Sequence, residues 1–357
     1  MTPLGVTEVL EQIADGLPVK NADLSGLDFS GKSLAKAIFL NCKATGASFV
    51  EANVEKALFK ECELDGSVWV RSRLDKAIFI ECLLVDGDFV EIEGSRSRWI
   101  SPKLAKARFD RAILDRAAFV RGDFARTSFA DAILEKASFV ECRFDQTAFS
   151  KAHLVKTVYI KPDLSGCLFS GTRFDNPIFV EGNLKNLDFS GINLPKIQAS
   201  LCDLSGTRWV GSDVSLGNFY RSNLSNADLS RAIGERAMFT EADLKGVSAR
   251  NGRFSLASFQ KVDATGADFS GSELSCTPWT EARCSQGNFS GANLSFADFS
   301  HADLSRAIFQ GASLGRAHFH RAKEATADFS GSTRTLARED DPERGEAEDF
   351  HPRQIEG

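Results

Sequence analysis

The stretch NADLSGLDFSGKSLAKAIFL, residues 21–40, decides the fold: large apolar residues stand at Leu24, Phe29, Leu34 and Phe39, one every fifth place. Small residues, Ala22 and Ala37, precede the first and last of them by two places. The five-residue beat continues without insertion or deletion through 62 positions, from Leu24 to Phe329. Its two halves differ in kind. Positions ending in 4 are Leu in 19 of 31 cases, while 28 of 31 ending in 9 are aromatic, including Trp69, Trp99, Trp209 and Trp279. Residues two apart share one face of a strand, so each unit buries a small and a large side chain together. Three residues then intervene before the next small one. That 2-3-2-3 rhythm suits neither a helix nor a long strand. It requires very short strands joined by tight corners, with every strand turning the same side inward.

A longer period sets the number of sides. The FSG triplets begin at Phe29, Phe169, Phe189, Phe269, Phe289 and Phe329, separated by multiples of twenty. Cys42, Cys62, Cys82, Cys142 and Cys202 obey the same rule, as do Gly26, Gly46, Gly66, Gly166, Gly206, Gly246 and Gly266. Glycine at a corner suits a turn of positive φ. Twenty residues per coil means four five-residue sides, an all-β square solenoid with aromatic ladders on two opposite sides.

Units such as Ala22-Asp23-Leu24-Ser25-Gly26, Ala227-Asp228-Leu229-Ser230-Arg231 and Ala302-Asp303-Leu304-Ser305-Arg306 resemble the A(D/N)Lxx signature of pentapeptide-repeat proteins. The resemblance spans residues 21–331. It implies a right-handed quadrilateral parallel β-helix, here of about 15 coils at one coil per strand spacing. Gly94, Gly234, Ala199, Ala249 and Glu324 replace large core residues, and Pro102, Pro162 and Pro177 replace small ones, which predicts softened or bent coils. Residues 1–20 read as a short helical cap, with Thr7 as N-cap and Val6, Val9, Leu10 and Ile13 as its apolar stripe. Residues 332–357 carry −4 of the net charge of −6 and read as a charged, disordered tail.

The motifs of catalysis are missing. No Ser/His/Asp pattern, phosphate loop or paired carboxylates stand out, and a solenoid filled with side chains predicts no deep pocket. The eight Cys form no CxxC pair, so neither a metal nor a cofactor is expected. Cys42, Cys62 and Cys82 fall on inward positions and read as packing residues. His318 and His320 flank Phe319 and should face solvent, with His301 one coil earlier. The N-terminus has no signal-peptide pattern, and no run reaches the roughly 18 apolar residues of a membrane span. The expectation is a cytoplasmic, non-enzymatic protein that does not engage membranes.

The outward columns carry more information. Lys36, Lys56, Lys76, Arg96, Arg116, Lys136 and Lys156 stack at intervals of twenty, and Glu55, Asp75, Asp115 and Glu135 directly precede four of them. This reads as a charge-compensated surface, and nucleic acid is not expected as a partner. The residues just after the aromatic column run Leu40, Lys60, Ile80, Ile100, Val120, Val140, Ile160, Val180, and those just before it add Ile38, Leu58, Ile78, Val158 and Ile178. Further along, the same column turns polar: Ser200, Tyr220, Thr240, Gln260, Thr280, Ser300 and His320. An apolar stripe over eight coils exceeds what soluble proteins ordinarily expose. It predicts a docking face for a protein partner or for a second copy of the chain. The entry segment LPVKNADLSGLDFSG, residues 17–31, is similar to pentapeptide-repeat proteins found with bacterial type VI secretion cargo. That likeness implies an adaptor or chaperone for an effector or spike component. The alternative is a mimic of duplex DNA that binds a type II topoisomerase such as gyrase, as some quinolone-resistance relatives do. The weak net charge and the basic column speak against it.

Overall fold

From Gly16 to Leu336 the backbone takes a positive φ, between 48° and 69°, at every fifth residue except Gly166 and Thr326. These residues are the corners. Glycine serves at only 15 of them, and 48 others hold an L side chain in the left-handed region, at roughly 1–2 kcal/mol each. What offsets the strain is bonding between coils. Most corner N–H groups reach the carbonyl nineteen residues ahead, as in Gly26 to Thr45 (3.0 Å) and Lys36 to Glu55 (2.8 Å), and Leu27 N–H closes the turn onto Leu24 O (3.2 Å).

The computed structural model describes residues 1–349. The chain divides into two compact units, residues 1–184 and 185–357, and each winds as a parallel β-solenoid. In the first unit, three-residue strands recur at Ile38–Leu40, Leu58–Lys60, Ile78–Ile80, Arg98–Ile100, Ala118–Val120, Ser138–Val140, Val158–Ile160 and Ile178–Val180. They pair in parallel at a twenty-residue register, Phe39 opposite Phe59 and Phe79 opposite Trp99. Most other sides pair through single bridges, such as Asp28 with Ser48.

In the second unit, every side from Arg208 onward is of the single-bridge kind, for example Asp213 with Ile233. Continuous strands therefore cover fewer turns than the about 15 coils read from the repeat. The outward residues account for part of the difference. On the side of Phe39 to Phe179, where Ile, Leu or Val flanks most of the aromatic residues, three residues stay extended. Where Asn or Asp stands there, its side chain accepts from the N–H two places on, as in Tyr220 N–H to Asn218 Oδ1 (3.0 Å) and Ser300 N–H to Asp298 Oδ1 (2.9 Å). That Asx bond starts the turn early.

The core is built of aromatic ladders. Phe39, Phe59, Phe79 and Trp99 stack at 4.7, 5.0 and 4.1 Å, and Phe49, Trp69 and Phe89 form a second stack across the coil. The two stacks meet edge to face, Phe59 against Trp69 at 5.5 Å and 86°, the geometry ring quadrupoles favour. Coils expected to be soft prove filled. Phe254 leans into the space left by Gly234, so that a β-carbon there would lie 2.6 Å from its ring. Pro102 and Pro162 each face a glycine one coil later, Gly122 and Gly182.

Both termini depart from the sequence reading. Helix α1 runs Val6–Ala14 with Gly5, not Thr7, as its N-cap. The Gly5 N–H donates to Glu8 Oε2 at 2.6 Å, which places Thr7 inside the first turn. Ahead of the helix, Thr2–Pro3 pairs with Ala22–Asp23 and covers the edge of the first coil.

The segment from 332, expected to be disordered, continues the winding. Thr333 and Arg338 bridge Ser313 and His318, and helix α2 follows at Pro342–Asp349; the rest of the expected tail, 350–357, lies outside the described residues. Arg334 takes a place reserved for large apolar residues. Its guanidinium lies 4.5 and 4.3 Å from the ring centroids of Phe319 and Phe329 and pairs with Glu324 (3.2 Å) and Glu339 (2.8 Å). Glu324 also fills a core position. Burial pushes its carboxyl up, and the pull of Arg334 is too weak to reverse this.

Candidate protein-binding face

The side that carries the apolar stripe lies in the first unit, between the corners at 36, 56, 76 and those at 41, 61, 81. The parallel register aligns its outward residues in two ladders. One runs Ile38, Leu58, Ile78, Arg98, Ala118, Ser138, Val158, Ile178; the other runs Leu40, Lys60, Ile80, Ile100, Val120, Val140, Ile160, Val180. All twelve apolar residues singled out from the sequence thus share one sheet face. Only Ile38 and Ile160 are exposed, at 39% and 36%; the other ten are half-buried. Neighbours one strand spacing apart, ~4.8 Å, cover one another's flanks, so each rung offers less surface than its side chain alone would suggest.

The two rims differ in charge. One corner carries Lys36, Lys56, Lys76, Arg96, Arg116, Lys136 and Lys156, and the opposite corner carries Glu61, Glu81, Glu141 and Glu181 beside Arg121 and Lys161. Compensation within the basic rim is less complete than the sequence suggested. Lys56–Glu55 (2.8 Å), Arg116–Asp115 (3.6 Å) and Lys136–Glu135 (2.6 Å) form, and hydrogen bonds from Lys56 and Lys136 hold the Glu55 and Glu135 carboxyls below their usual range. The fourth pair does not form: Asp75 makes no ion pair with Lys76, and burial raises its carboxyl. Among the described residues Lys36, Lys76, Arg96 and Lys156 have no ion pair.

The remaining candidates fall elsewhere. Cys42, Cys62 and Cys82 are buried, each with Sγ 3.4 Å from the carbonyl two places back. Against the lowering hydrogen bond with Cys42, the Cys82 thiol and burial push Cys62 up to about 12. His318 lines a shallow hollow of about 560 Å³ with Phe296, Arg316, Leu336 and Arg338.

His320 contradicts the expectation of a solvent-facing side chain. It is only 3% exposed, because α2 lies over it, with Glu348 Oε2 3.3 Å from its Nε2. His301, His320 and Glu348 converge as a potential metal-ligating trio. The sequence reading also passed over one corner column of the second unit, where Leu216, Leu256, Phe296 and Leu336 are all exposed at positive φ. Their forty-residue spacing was the available signal. No helix among the described residues is long and apolar enough to cross a membrane.

The family model for a pentapeptide repeat region matches residues 19–89, and a model of eight pentapeptide copies matches 200–233, 237–275 and 280–323, together more than half of the chain. The chain belongs to the pentapeptide-repeat family. No curated protein matches this pentapeptide-repeat protein significantly. Among solved structures it is similar to HetL, a pentapeptide repeat protein involved in heterocyst differentiation regulation from Nostoc sp. strain PCC 7120, at 21% identity over 86% of this chain and 97% of that one, with a TM-score of 0.19. It is also similar to QnrB1, a plasmid-mediated fluoroquinolone resistance protein, at 16% identity over 76% and 98%, with a TM-score of 0.21. A pentapeptide repeat protein of the Arabidopsis thaliana thylakoid lumen shares 27% identity over 34% and 68%, with a TM-score of 0.14.

Proposed function

We propose that this pentapeptide-repeat protein is a non-catalytic scaffold that docks a protein partner through the apolar side of its first unit. The observation that carries the reading is the pair of in-register ladders from Ile38 to Val180, apolar at every rung but Lys60, Arg98 and Ser138 and flanked by charged corners on both sides. An apolar centre with a polar rim is the anatomy of a protein interface. On a solvated face, strand propensity alone would leave polar residues mixed throughout, as they are on the corresponding side of the second unit. The finer role that the entry segment's likeness implies is an adaptor or chaperone for a secreted effector or spike component.

The test compares wild type with the triple variant Ile80→Asp/Val140→Asp/Val180→Asp, whose positions lie outside the buried ladders. Circular dichroism checks that the coil survives. Light scattering and affinity capture then read self-association and partner binding. A single protein species, or a second copy, bound stoichiometrically by wild type and released by the variant supports the face. Equal binding by both removes it, and inhibition of gyrase supercoiling by both proteins at stoichiometric amounts would favour the DNA-mimic reading.

A further inference from the structure

Helix α2 poses a physical problem. Its eight residues, PERGEAED, are polar on all sides, and a helix this short is far below the roughly 12–15 residues that hold alone in water. Its last turn carries Glu346, Glu348 and Asp349 with no basic residue, the wrong sign for the negative end of the helix dipole. What holds it is polar contact with the coil. Arg321 grips Asp349 with both terminal nitrogens (2.9 and 2.6 Å) and also donates to Gly345 O (2.8 Å). The second contact is the trio of His301, His320 and Glu348.

We infer that His301, His320 and Glu348 form a divalent metal site of the zinc class, which clasps α2 to the closing coils. Glu348 Oε2 lies 3.2 Å from His301 Nε2 and 3.3 Å from His320 Nε2. All three donor atoms fall within 4.8 Å of one another. Ligands at ~2.0–2.1 Å from a tetrahedral zinc stand about 3.3–3.4 Å apart, so two of the three edges are already of coordinating length. Two imidazoles and one carboxylate are a donor set suited to zinc.

The surroundings fit as well. Asp340 Oδ1 lies 2.9 Å from His320 Nδ1, close enough to take the Nδ1 proton when Nε2 turns its lone pair to a metal. Arg344 binds Glu348 Oε1 (2.9 Å) and leaves Oε2 to the histidines, while Arg321 stands farther from Oε2, at 3.7 Å. The Asp341 N–H also points at His320 Nδ1 (3.1 Å). That contact suits the opposite tautomer, with Nε2–H donating to Glu348, and describes the metal-free arrangement. His301 and Glu348 are about one-third exposed, which leaves a fourth position open to water.

The experiment uses untagged, chelator-stripped full-length protein and zinc chloride, followed by calorimetry. Wild type should bind one zinc per chain. His301→Gln, His320→Ala and Glu348→Gln should each weaken binding at least about tenfold, and His318→Ala should leave it unchanged. Zinc should also slow tryptic cleavage after Arg344 in wild type and not in the three ligand variants. Absence of stoichiometric binding, binding that survives His320→Ala, or an equal loss in His318→Ala would each overturn the assignment.

Discussion

The indole Nε1 of Trp69 donates to Ser67 Oγ at 2.7 Å, and that hydroxyl in turn donates to Leu64 O at 2.6 Å. The same relay serves Trp99 through Ser97, Trp209 through Thr207 and Trp279 through Thr277. Every tryptophan in this core has a hydroxyl two places before it, because a buried indole N–H must find an acceptor inside the coil.

Ser67→Ala should therefore cost about 1–3 kcal/mol by orphaning the indole, more than removing a hydroxyl beside a phenylalanine would. Adding Trp69→Phe should recover part of that loss. Denaturant midpoints for the two single variants and the double close the cycle. Strictly additive effects would show that the relay contributes nothing beyond its parts.

The corners make a second prediction of opposite signs. Leu256 is half-exposed at φ 62°, and Gly266 stands at φ 67° with nothing within 4 Å of a built β-carbon. Leu256→Gly should stabilise by about 0.5–1 kcal/mol, and Gly266→Ala should destabilise by about 1 kcal/mol through backbone strain alone. Thermal melts read both. A loss of stability in Leu256→Gly would mean that its side chain packs in a way the strain argument ignores.

Gly234 and Phe254 should behave as a matched pair. Gly234→Ala forces the ring to move and should cost about 1–3 kcal/mol. The cost should shrink when Phe254→Leu is present, since the ring is then gone. If the double variant is as destabilised as the sum of its parts, the gap is not shared.

Acid should weaken the protein in a defined window. Hydrogen bonds from Ser190 and Ser305 hold the Asp188 and Asp303 carboxyls below their usual range. A depressed folded pKa gives stability that is complete above the unfolded value, near 4, and is lost as pH falls through the folded value. Melting temperatures should hold steady from neutral pH to about 5 and drop below about 4. The drop should be shallower in Asp188→Asn/Asp303→Asn. An identical acid limb in that variant would move the cause to other carboxylates.

The five-residue beat made the core legible because inward residues alone decide it: Phe39 and Leu34 announce themselves by size and spacing. The apolar side was legible for the same reason, since register carries Ile80 next to Ile100 without any loop to interrupt it. The corners were legible only in part. Glycine marks some of them, but Lys36 and Leu256 adopt the same backbone with no local sequence signal, the strain being met by hydrogen bonds to the next coil. His320 was misread because its column reaches solvent in every coil before Ser300. What buries it is α2, more than twenty residues ahead and built from residues whose composition predicts disorder.

Each layer of a parallel coil presents the next with the same donors and acceptors, so backbone chemistry alone gives such a chain no reason to stop growing. A second molecule could in principle stack on the closing layer and template a filament. Arg334 and Glu324 oppose that, because stacking would strip water from charges set where Leu or Phe would otherwise stand. In Arg334→Leu/Glu324→Leu, the closing layer would become an apolar landing site for another copy.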